Sequence, residues 1–133
     1  MIIQVIGLPG SGKTTFAKEL SSRINAIHLN ADEVRSYLNK DLGFSKEDRI
    51  EQARRMGALS RLLAKQGYHV VVDFVCPFES YRSFYDMKIW MNTINKGRFE
   101  DTNKVFEKPK KVDFEITDFN YDNIIKEIHD RLL

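Results

Sequence analysis

Short apolar runs alternate with longer amphipathic stretches along the chain. Most of these runs lack the polar–apolar alternation of a half-exposed strand, so they predict strands that are covered on both faces. We expect five strands, at residues 2–6, 26–30, 68–75, 87–92 and 112–117. Strands that alternate with helices at this spacing imply right-handed crossovers and a parallel sheet.

The stretches between these runs carry apolar residues three and four positions apart, which is the spacing of one helix face. The predicted helices span residues 13–24, 31–38, 46–66 and 78–84, and a last helix follows Asn120. The apolar positions that should face the core include Phe16, Ala17, Leu20, Ile24, Ile50, Ala53, Met56, Leu59, Leu62, Leu63, Ile124, Ile125, Ile128 and Leu132. The predicted fold class is therefore α/β, a three-layer sandwich in which helices cover both faces of a five-stranded parallel sheet.

Residues that satisfy free backbone groups mark the helix ends. Asn30 or Asp32 stands where the second helix begins, and Ser45 opens S-K-E-D, a serine with an acid three residues later. Gly67 is placed to end the third helix, and Asn120 to cap the last one. These signals fix the expected boundaries of the elements.

Composition fits one domain over residues 1–133. Hydrophobic residues make up 42% of the chain, and 21 basic residues nearly balance 19 acidic ones, so no broad basic face predicts nucleic acid or an anionic membrane as a partner. Cys76 is the single cysteine, which excludes an internal disulfide and favours a reducing compartment. With no long apolar run and no signal-peptide pattern, we expect a soluble, cytoplasmic protein. A homodimer is one assembly that such a chain could form.

The stretch IGLPGSGKTT, residues 6–15, completes the pattern G-x-x-x-x-G-K-[ST] between a predicted strand and a predicted helix. Such a loop turns several backbone N–H groups onto a phosphate, and the helix start adds partial positive charge. The predicted nucleotide-binding residues are Gly7, Gly10, Ser11, Gly12, Lys13, Thr14 and Thr15. No N-K-x-D motif indicates guanine, so ATP with Mg²⁺ is the expected ligand, in a P-loop fold.

Two acids and an arginine follow the next strands at the edge where ligands collect. Asp32 could accept a hydroxyl proton or could simply cap a helix. Asp73 closes the run VVVD, a Walker-B-like pattern suited to Mg²⁺, with Thr14 as the other expected metal ligand. Arg35 could grip an anionic substrate or could be a solvated surface residue.

Several motifs together resemble the adenylylsulfate kinase family. The stretch LNKDLGFSKEDRIEQARR, residues 38–55, resembles that family's L-N-x-D-L-G-F-S followed by E-D-R, while LNADEVR resembles D-G-D-x-x-R and FVCP resembles F-I-S-P. The resemblance covers about the first 80 residues. It implies transfer of the γ-phosphate of ATP to the 3′-hydroxyl of adenosine 5′-phosphosulfate, with Mg²⁺.

The resemblance also implies residue roles. Asp32 would be the acid beside the hydroxyl, with Lys13 as the other catalytic residue. The substrate-binding set would be Arg35, Phe44, Arg49, Gln52 and Val75. Alternatively, Arg49 is a charge on a helix surface and Phe44 is a core residue.

The chain departs from the family in several places. Asn30 and Ala31 replace the first Asp and the Gly of D-G-D, and Asp73 is acidic where the family is small and apolar. Cys76, in place of a serine, is expected to be a buried small residue rather than a nucleophile.

The family's long lid is absent, and a shorter polar segment at about 93–111 stands in its place. Arg98 and Lys104 are the lid residues expected to touch phosphates, and Phe106 is the expected second stacking ring. A solvated turn is the alternative for this segment.

Three functions are compatible with these features. The first is an adenylylsulfate kinase, and the second is a kinase of another nucleotide, nucleoside or sugar-like alcohol. The third is a non-catalytic ATP-binding protein, which the second set of anion-binding residues argues against.

Overall fold

A sheet of five parallel strands organises the part of the chain that this computed structural model describes, residues 1–83, 85–97 and 99–132. The strands are β1 Ile2–Ile6, β2 Ile27–Asn30, β3 Val70–Asp73, β4 Met87–Met91 and β5 Phe114–Ile116. The helices are α1 Lys13–Ile24, α2 Ala31–Tyr37, α3 Lys46–Lys65, α4 Glu100–Val105 and α5 Asp122–Leu132. The strand order is β2-β3-β1-β4-β5, which confirms the parallel α/β class and places β1 at the centre.

Side chains of β1 alternate between two apolar layers. Ile3 shares one buried cluster with Phe16 of α1 and Ile128 of α5. Ile6 belongs to the other cluster, with Met56 of α3. Full burial of such a side chain is worth about 1.5–3 kcal/mol, so the two layers hold helices against both faces of the sheet. The predicted three-layer sandwich is confirmed.

The caps of α2 and α3 follow the sequence signals. Asn30 Oδ1 accepts a hydrogen bond from the Glu33 amide at 3.0 Å, and Ser45 Oγ accepts one from the Asp48 amide at 3.1 Å. Gly67 adopts a φ of +97° just beyond α3. The cap of α2 is therefore Asn30, and the alternative in which Asp32 caps this helix is wrong.

The helix predicted over residues 78–84 is wrong for its described part. Only a 3₁₀ turn forms there, at Glu79–Tyr81. The guanidinium of Arg82 is fully buried and donates from Nε to the Cys76 carbonyl at 2.9 Å. That bond folds the chain back on itself within six residues, which a continuing helix would not allow.

Some boundaries and burial patterns also differ from the prediction. The amides of Ile124 and Ile125 donate to the Tyr121 carbonyl, so Tyr121, and not Asn120, stands at the start of α5. Leu62 is 57% exposed, because α3 packs on the sheet through the face that carries Met56. We find no helix in the described part of the chain whose length and apolarity would let it cross a membrane.

Candidate active site

A cavity of about 500 Å³ opens at the carboxyl edge of the sheet, where β1, β2 and β3 end. Its walls come from the loop before α1, the start of α2, the loop before α3, the segment after β3 and the start of α4. The lining residues are Pro9, Gly10, Lys13, Thr14, Asn30, Ala31, Asp32, Arg35, Phe44, Arg49, Gln52, Asp73, Phe74, Val75, Cys76, Pro77, Phe99, Asp101 and Thr102. Residues predicted for the donor and the acceptor therefore share one cavity.

The loop between β1 and α1 needs glycine at two positions for different reasons. A Cβ on Gly7 would lie 2.7 Å from the Met91 carbonyl oxygen, so the close passage of β4 excludes any side chain. Gly12 precedes α1 with a φ of +92°, a conformation that other residues rarely adopt. The loop thus curls tightly at the amino end of a twelve-residue helix, as a phosphate cradle requires.

Lys13 lies folded onto this loop. Its side chain is 9% exposed and Nζ donates to the Leu8 carbonyl at 3.2 Å, while the residue still lines the cavity. Ser11 is buried beneath the loop, and its amide donates to the same carbonyl. Thr15 is exposed. The phosphate contacts expected of these residues stay predictions.

A polar network joins the loop to the ends of β2 and β3. The amide Nδ2 of Asn30 donates to Thr14 Oγ1 at 3.2 Å and to Asp73 Oδ2 at 3.0 Å. His28 Nε2 lies 2.8 Å from the same carboxylate oxygen. Asn30 and Asp73 are register partners on adjacent strands. The carboxylate that the family resemblance expects at position 30 is thus found one strand away, at position 73.

This network offers a place for a magnesium ion. In residues 1–83, 85–97 and 99–132, no cluster of three His, Cys, Asp or Glu side chains could hold a metal by itself. Mg²⁺ in nucleotide sites needs only one or two protein ligands, because phosphates and waters complete its shell. The Thr14 hydroxyl and the Asp73 carboxylate both accept hydrogen bonds from the Asn30 amide, and as a pair they fit that requirement.

Asp32 and Arg35 occupy the start of α2 and both line the cavity. Asp32 is exposed toward it, and Arg35 is half-buried. Arg35 Nη1 donates to the carbonyls of Leu42 and Gly43, at 3.3 and 2.9 Å. These bonds hold the guanidinium against the loop that carries Phe44.

Phe44 is 68% exposed, so it is not a core residue, and two arginines approach its ring. The Arg35 and Arg49 guanidinium carbons lie 4.6 and 5.6 Å from the centre of its ring. Burial, and then the nearby Arg49 cation, lower the pKa of Arg35, an effect that Asp32 and Asp48 partly oppose. Two cations that crowd each other at an open aromatic ring favour an anionic ligand with a flat ring system.

Ion pairs on α3 anchor the loop before it. Arg55 joins Asp41 and Glu51, with nitrogen–oxygen distances of 2.7–2.9 Å. Hydrogen bonds from Arg54 and Arg55 lower the pKa of Glu51 to about 2. These pairs tie Asp41, three residues before Phe44, to α3.

Gln52 and the segment after β3 complete the acceptor wall. Gln52 is buried, accepts from Asn39 Nδ2 at 2.8 Å and donates to the Ala31 carbonyl at 3.4 Å. Its amide thus holds the wall together, and substrate contact stays a prediction. Val75 is half-buried and lines the cavity. Burial raises the pKa of the Cys76 thiol to about 12, so this sulfur stays uncharged and unreactive at neutral pH.

The lid contributes residues that the sequence did not single out. Phe99, 59% exposed, lines the cavity together with Asp101 and Thr102 of α4. Thr102 Oγ1 accepts a long hydrogen bond from Arg49 Nη1, at 3.4 Å. The predicted phosphate ligand Arg98 lies outside the described residues.

Two other lid residues that the sequence suggested as ligand contacts do not line the cavity. Lys104 is exposed and does not line the cavity. Phe106 turns away from it, with its ring centre 5.1 Å from the buried Arg82 guanidinium. The aromatic ring next to the ligand space is Phe99, because α4 presents its first turn, not its last, to the cavity.

Comparisons with known proteins agree with this arrangement. The sequence profile of the adenylylsulphate kinase family matches residues 1–96. The adenylyl-sulfate kinase of Bacillus pumilus is 37% identical over 105 residues, which cover 75% of this chain and 51% of that protein. That of Bacillus licheniformis is 44% identical over 86 residues, which cover 61% and 44%. The chain thus spans about half the length of these curated relatives.

A solved structure resembles the chain over nearly its whole length. The APS kinase of Mycobacterium tuberculosis, in complex with AMPPNP and APS, has a TM-score of 0.81 and 25% identity, and the match covers 98% of this chain and 96% of that one. The family profile matches well over half of the chain, and its motifs line the cavity. The chain belongs to the adenylylsulphate kinase family.

Proposed function

We propose that this protein is an ATP-dependent kinase that phosphorylates the 3′-hydroxyl of adenosine 5′-phosphosulfate or a similar anionic nucleotide. One observation carries the proposal. A glycine-rich phosphate cradle and an arginine pair around an exposed ring line the same cavity, with the Asp32 carboxylate also on its wall. A mere ATP sensor has no need of the second anion site.

The donor half would be served by the loop before α1. Its backbone amides and Lys13 would hold the phosphates of ATP, with Lys13 leaving the Leu8 carbonyl to reach them. Thr14 and Asp73 would hold magnesium, which when bound neutralises charge on the β- and γ-phosphates. Asn30 keeps both side chains aligned through one amide group.

The acceptor half would be served by side chains. Arg35 and Arg49 would bind the phosphosulfate, and the base would stack between Phe44 and Phe99, both exposed rings that line the cavity. The crowding of the two cations is relieved when an anion joins them. Release of that repulsion adds to the preference for a charged acceptor.

Transfer then needs a proton acceptor beside the hydroxyl. The acceptor oxygen bonds to the γ-phosphorus, the bond from that phosphorus to the β–γ bridging oxygen breaks, and ADP leaves. The hydroxyl proton would pass to the Asp32 carboxylate, since Asn30 and not Asp32 caps α2. The first turn of α4 would cover the reacting groups and exclude water, limiting wasteful hydrolysis.

The relatives support this assignment. Curated proteins that match the chain are adenylyl-sulfate kinases, and the similar enzyme of Mycobacterium tuberculosis was solved with both AMPPNP and APS. By analogy we place the activity in sulfate assimilation in the cytoplasm. The homodimer stays a prediction, which sedimentation would test.

The test is ADP release from ATP with Mg²⁺ and a panel of acceptors. We expect adenosine 5′-phosphosulfate to stimulate release well above adenosine 5′-phosphate, shikimate and gluconate. Stronger stimulation by another alcohol would reassign the acceptor and keep the kinase. No stimulation by any acceptor, with ATP bound, would favour the non-catalytic alternative.

A further inference from the structure

His28 is a half-buried residue to which neither half of the proposed reaction gives a role. It lies on β2, at the edge of the sheet, and its side chain is 18% exposed. The ring nitrogen Nε2 lies 2.8 Å from Oδ2 of Asp73. A carboxylate oxygen can only accept a hydrogen bond, so Nε2 carries the hydrogen and donates it to Asp73.

Strand geometry explains why His28 and Asn30 reach the same atom. Residues two apart on a strand point to one face of the sheet, so both side chains stand on the same face of β2. Asn30 is the register partner of Asp73, and His28 pairs two residues back, with Val71. Asn30 Nδ2 donates to Asp73 Oδ2 at 3.0 Å, so two donors on β2 meet at one oxygen on β3.

The two hydrogen bonds do more than compensate a buried charge. The Asp73 side chain is 2% exposed, and a carboxylate removed from water needs such partners. Two donors on a single oxygen also restrict rotation of the carboxylate about its own bonds. Within the described part of the chain, the side-chain hydrogen bonds to Asp73 end on Oδ2. The other oxygen, Oδ1, is therefore the one that can serve a cation or a water of its shell.

We propose that His28 is a positioning residue, which holds the Asp73 carboxylate in the orientation in which its second oxygen can serve Mg²⁺. The inference rests on the proposed metal role of Asp73, and it adds a residue that acts through Asp73 and touches no substrate. Removing the hydrogen-bond partner of a metal ligand typically lowers metal affinity about ten- to a hundredfold. Because Asn30 still bonds to Oδ2, we expect the lower end of this range for His28.

Thermal melts over a Mg²⁺ series at fixed ATP test this assignment. The Mg²⁺ concentration that gives half of the maximal stabilisation reports binding of the ion, independently of turnover. The variants are His28→Leu, which removes the donor at similar volume, and His28→Gln, which keeps an N–H group at similar reach. His129→Ala is the control, because His129 is a 42%-exposed histidine on α5 that pairs with Asp130. Melts with EDTA and without ATP show whether each variant is folded.

The expected result is a selective change in the Mg²⁺ requirement. His28→Leu should raise the half-maximal Mg²⁺ concentration about tenfold, whereas His28→Gln and His129→Ala should stay within about twofold of the wild type. A histidine that only stabilised the fold would lower the melting temperature without ligands and leave the Mg²⁺ concentration unchanged. In an Asp73→Asn background, His28→Leu should raise the Mg²⁺ concentration no further, because the carboxylate through which it acts is gone.

An unchanged Mg²⁺ requirement in His28→Leu, beside a clear rise in Asp73→Asn, would overturn the inference and leave the proposed metal site intact. An equal rise from His28→Leu with and without Asp73→Asn would also overturn it, because the histidine would then act by another route. If Asp73→Asn itself changed nothing, the proposed metal role of Asp73 would fail, and this inference with it. Should His28→Leu not fold, His28→Ala takes its place in the same series.

Discussion

The two halves of the cavity differ in whether backbone or side-chain atoms form them. The donor half is mainly backbone, a loop whose shape depends on Gly7 being unable to carry a side chain and Gly12 standing at a positive φ. The acceptor half is mainly side chains, with Arg35 and Arg49 around the exposed Phe44 ring and Phe99 across the cavity. Few sequences can fold into the loop of the donor half. In the acceptor half, by contrast, single side chains can be replaced without changing the backbone.

This difference explains why the donor is easier to assign than the acceptor. Backbone amides bind phosphate in any nucleotide, so the loop defines a reaction class. Guanidinium groups and rings recognise a particular shape, so the acceptor half defines the substrate and not the reaction class. The comparison predicts that donor-half changes abolish turnover, while acceptor-half changes mainly raise the KM for the acceptor.

The largest effect should come from Lys13→Ala. Loss of the cation that reaches the β- and γ-phosphates should lower kcat/KM by about a thousandfold or more, because binding and transition-state stabilisation are both lost. Steady-state ADP release measures it. Lys18→Ala, on the exposed side of the same helix, is the control and should match the wild type. A loss of less than tenfold in Lys13→Ala would remove this residue from the transfer step.

Asp32→Asn tests the point where the two halves meet. It should lower kcat by roughly a hundredfold, because the amide cannot accept the hydroxyl proton, while ATP affinity stays the same. Single-turnover kinetics and calorimetry separate the two effects. Glu33→Gln, the adjacent exposed acid on α2, should leave both unchanged. An equal fall in ATP affinity for Asp32→Asn would move this carboxylate to the donor half.

The carboxylate on β3 gives a sharper test of the donor half. Asp73→Asn should raise the Mg²⁺ concentration at which ATP stabilises the fold against heat by about ten- to a hundredfold. Adding Asn30→Asp should bring this Mg²⁺ concentration most of the way back to the wild-type value, because residues 30 and 73 are register partners whose side chains touch. Thermal melts over a Mg²⁺ series at fixed ATP measure both. An unchanged Mg²⁺ requirement would contradict a metal role for Asp73.

The smallest of these effects should be on the acceptor alone. Arg49→Ala should raise the acceptor KM roughly tenfold, with little change in the KM for ATP, because one charge-assisted contact is lost among several. Arg54→Ala is the matched control, since Arg54 is an exposed arginine on the same helix that pairs only with Glu51 in the described contacts. If Arg49→Ala changed the ATP KM instead, the assignment of this wall would be wrong.

The sequence predicted the sheet and the place of the glycine-rich loop well, because both follow local rules. Apolar runs placed the five strands, and the glycine-lysine pattern placed the phosphate loop between β1 and α1. The caps at Asn30 and Ser45 also follow from residue type and spacing. Each of these features needs only a few consecutive residues.

The missed features depend on contacts between distant segments. The meeting of Asn30, His28 and Asp73 requires the register of β2 on β3, which no local pattern contains. The lid geometry depends on Arg82, whose buried guanidinium bonds to Cys76 and Glu79 and contacts Phe106. That packing turns Phe106 inward and leaves Phe99 at the cavity, which reverses the choice made from the sequence. In the sequence, only the presence of an aromatic residue in a polar lid segment could have pointed to Phe99.

The most direct measurement of the central claim follows the label from [γ-³²P]ATP. If both ligands meet in this cavity, adenosine 5′-phosphosulfate should capture the label in a nucleotide product, one label for each ADP released, with little inorganic phosphate. Label that appears as inorganic phosphate at the same rate with and without the acceptor would show that no transfer between two ligands takes place, and would contradict the account.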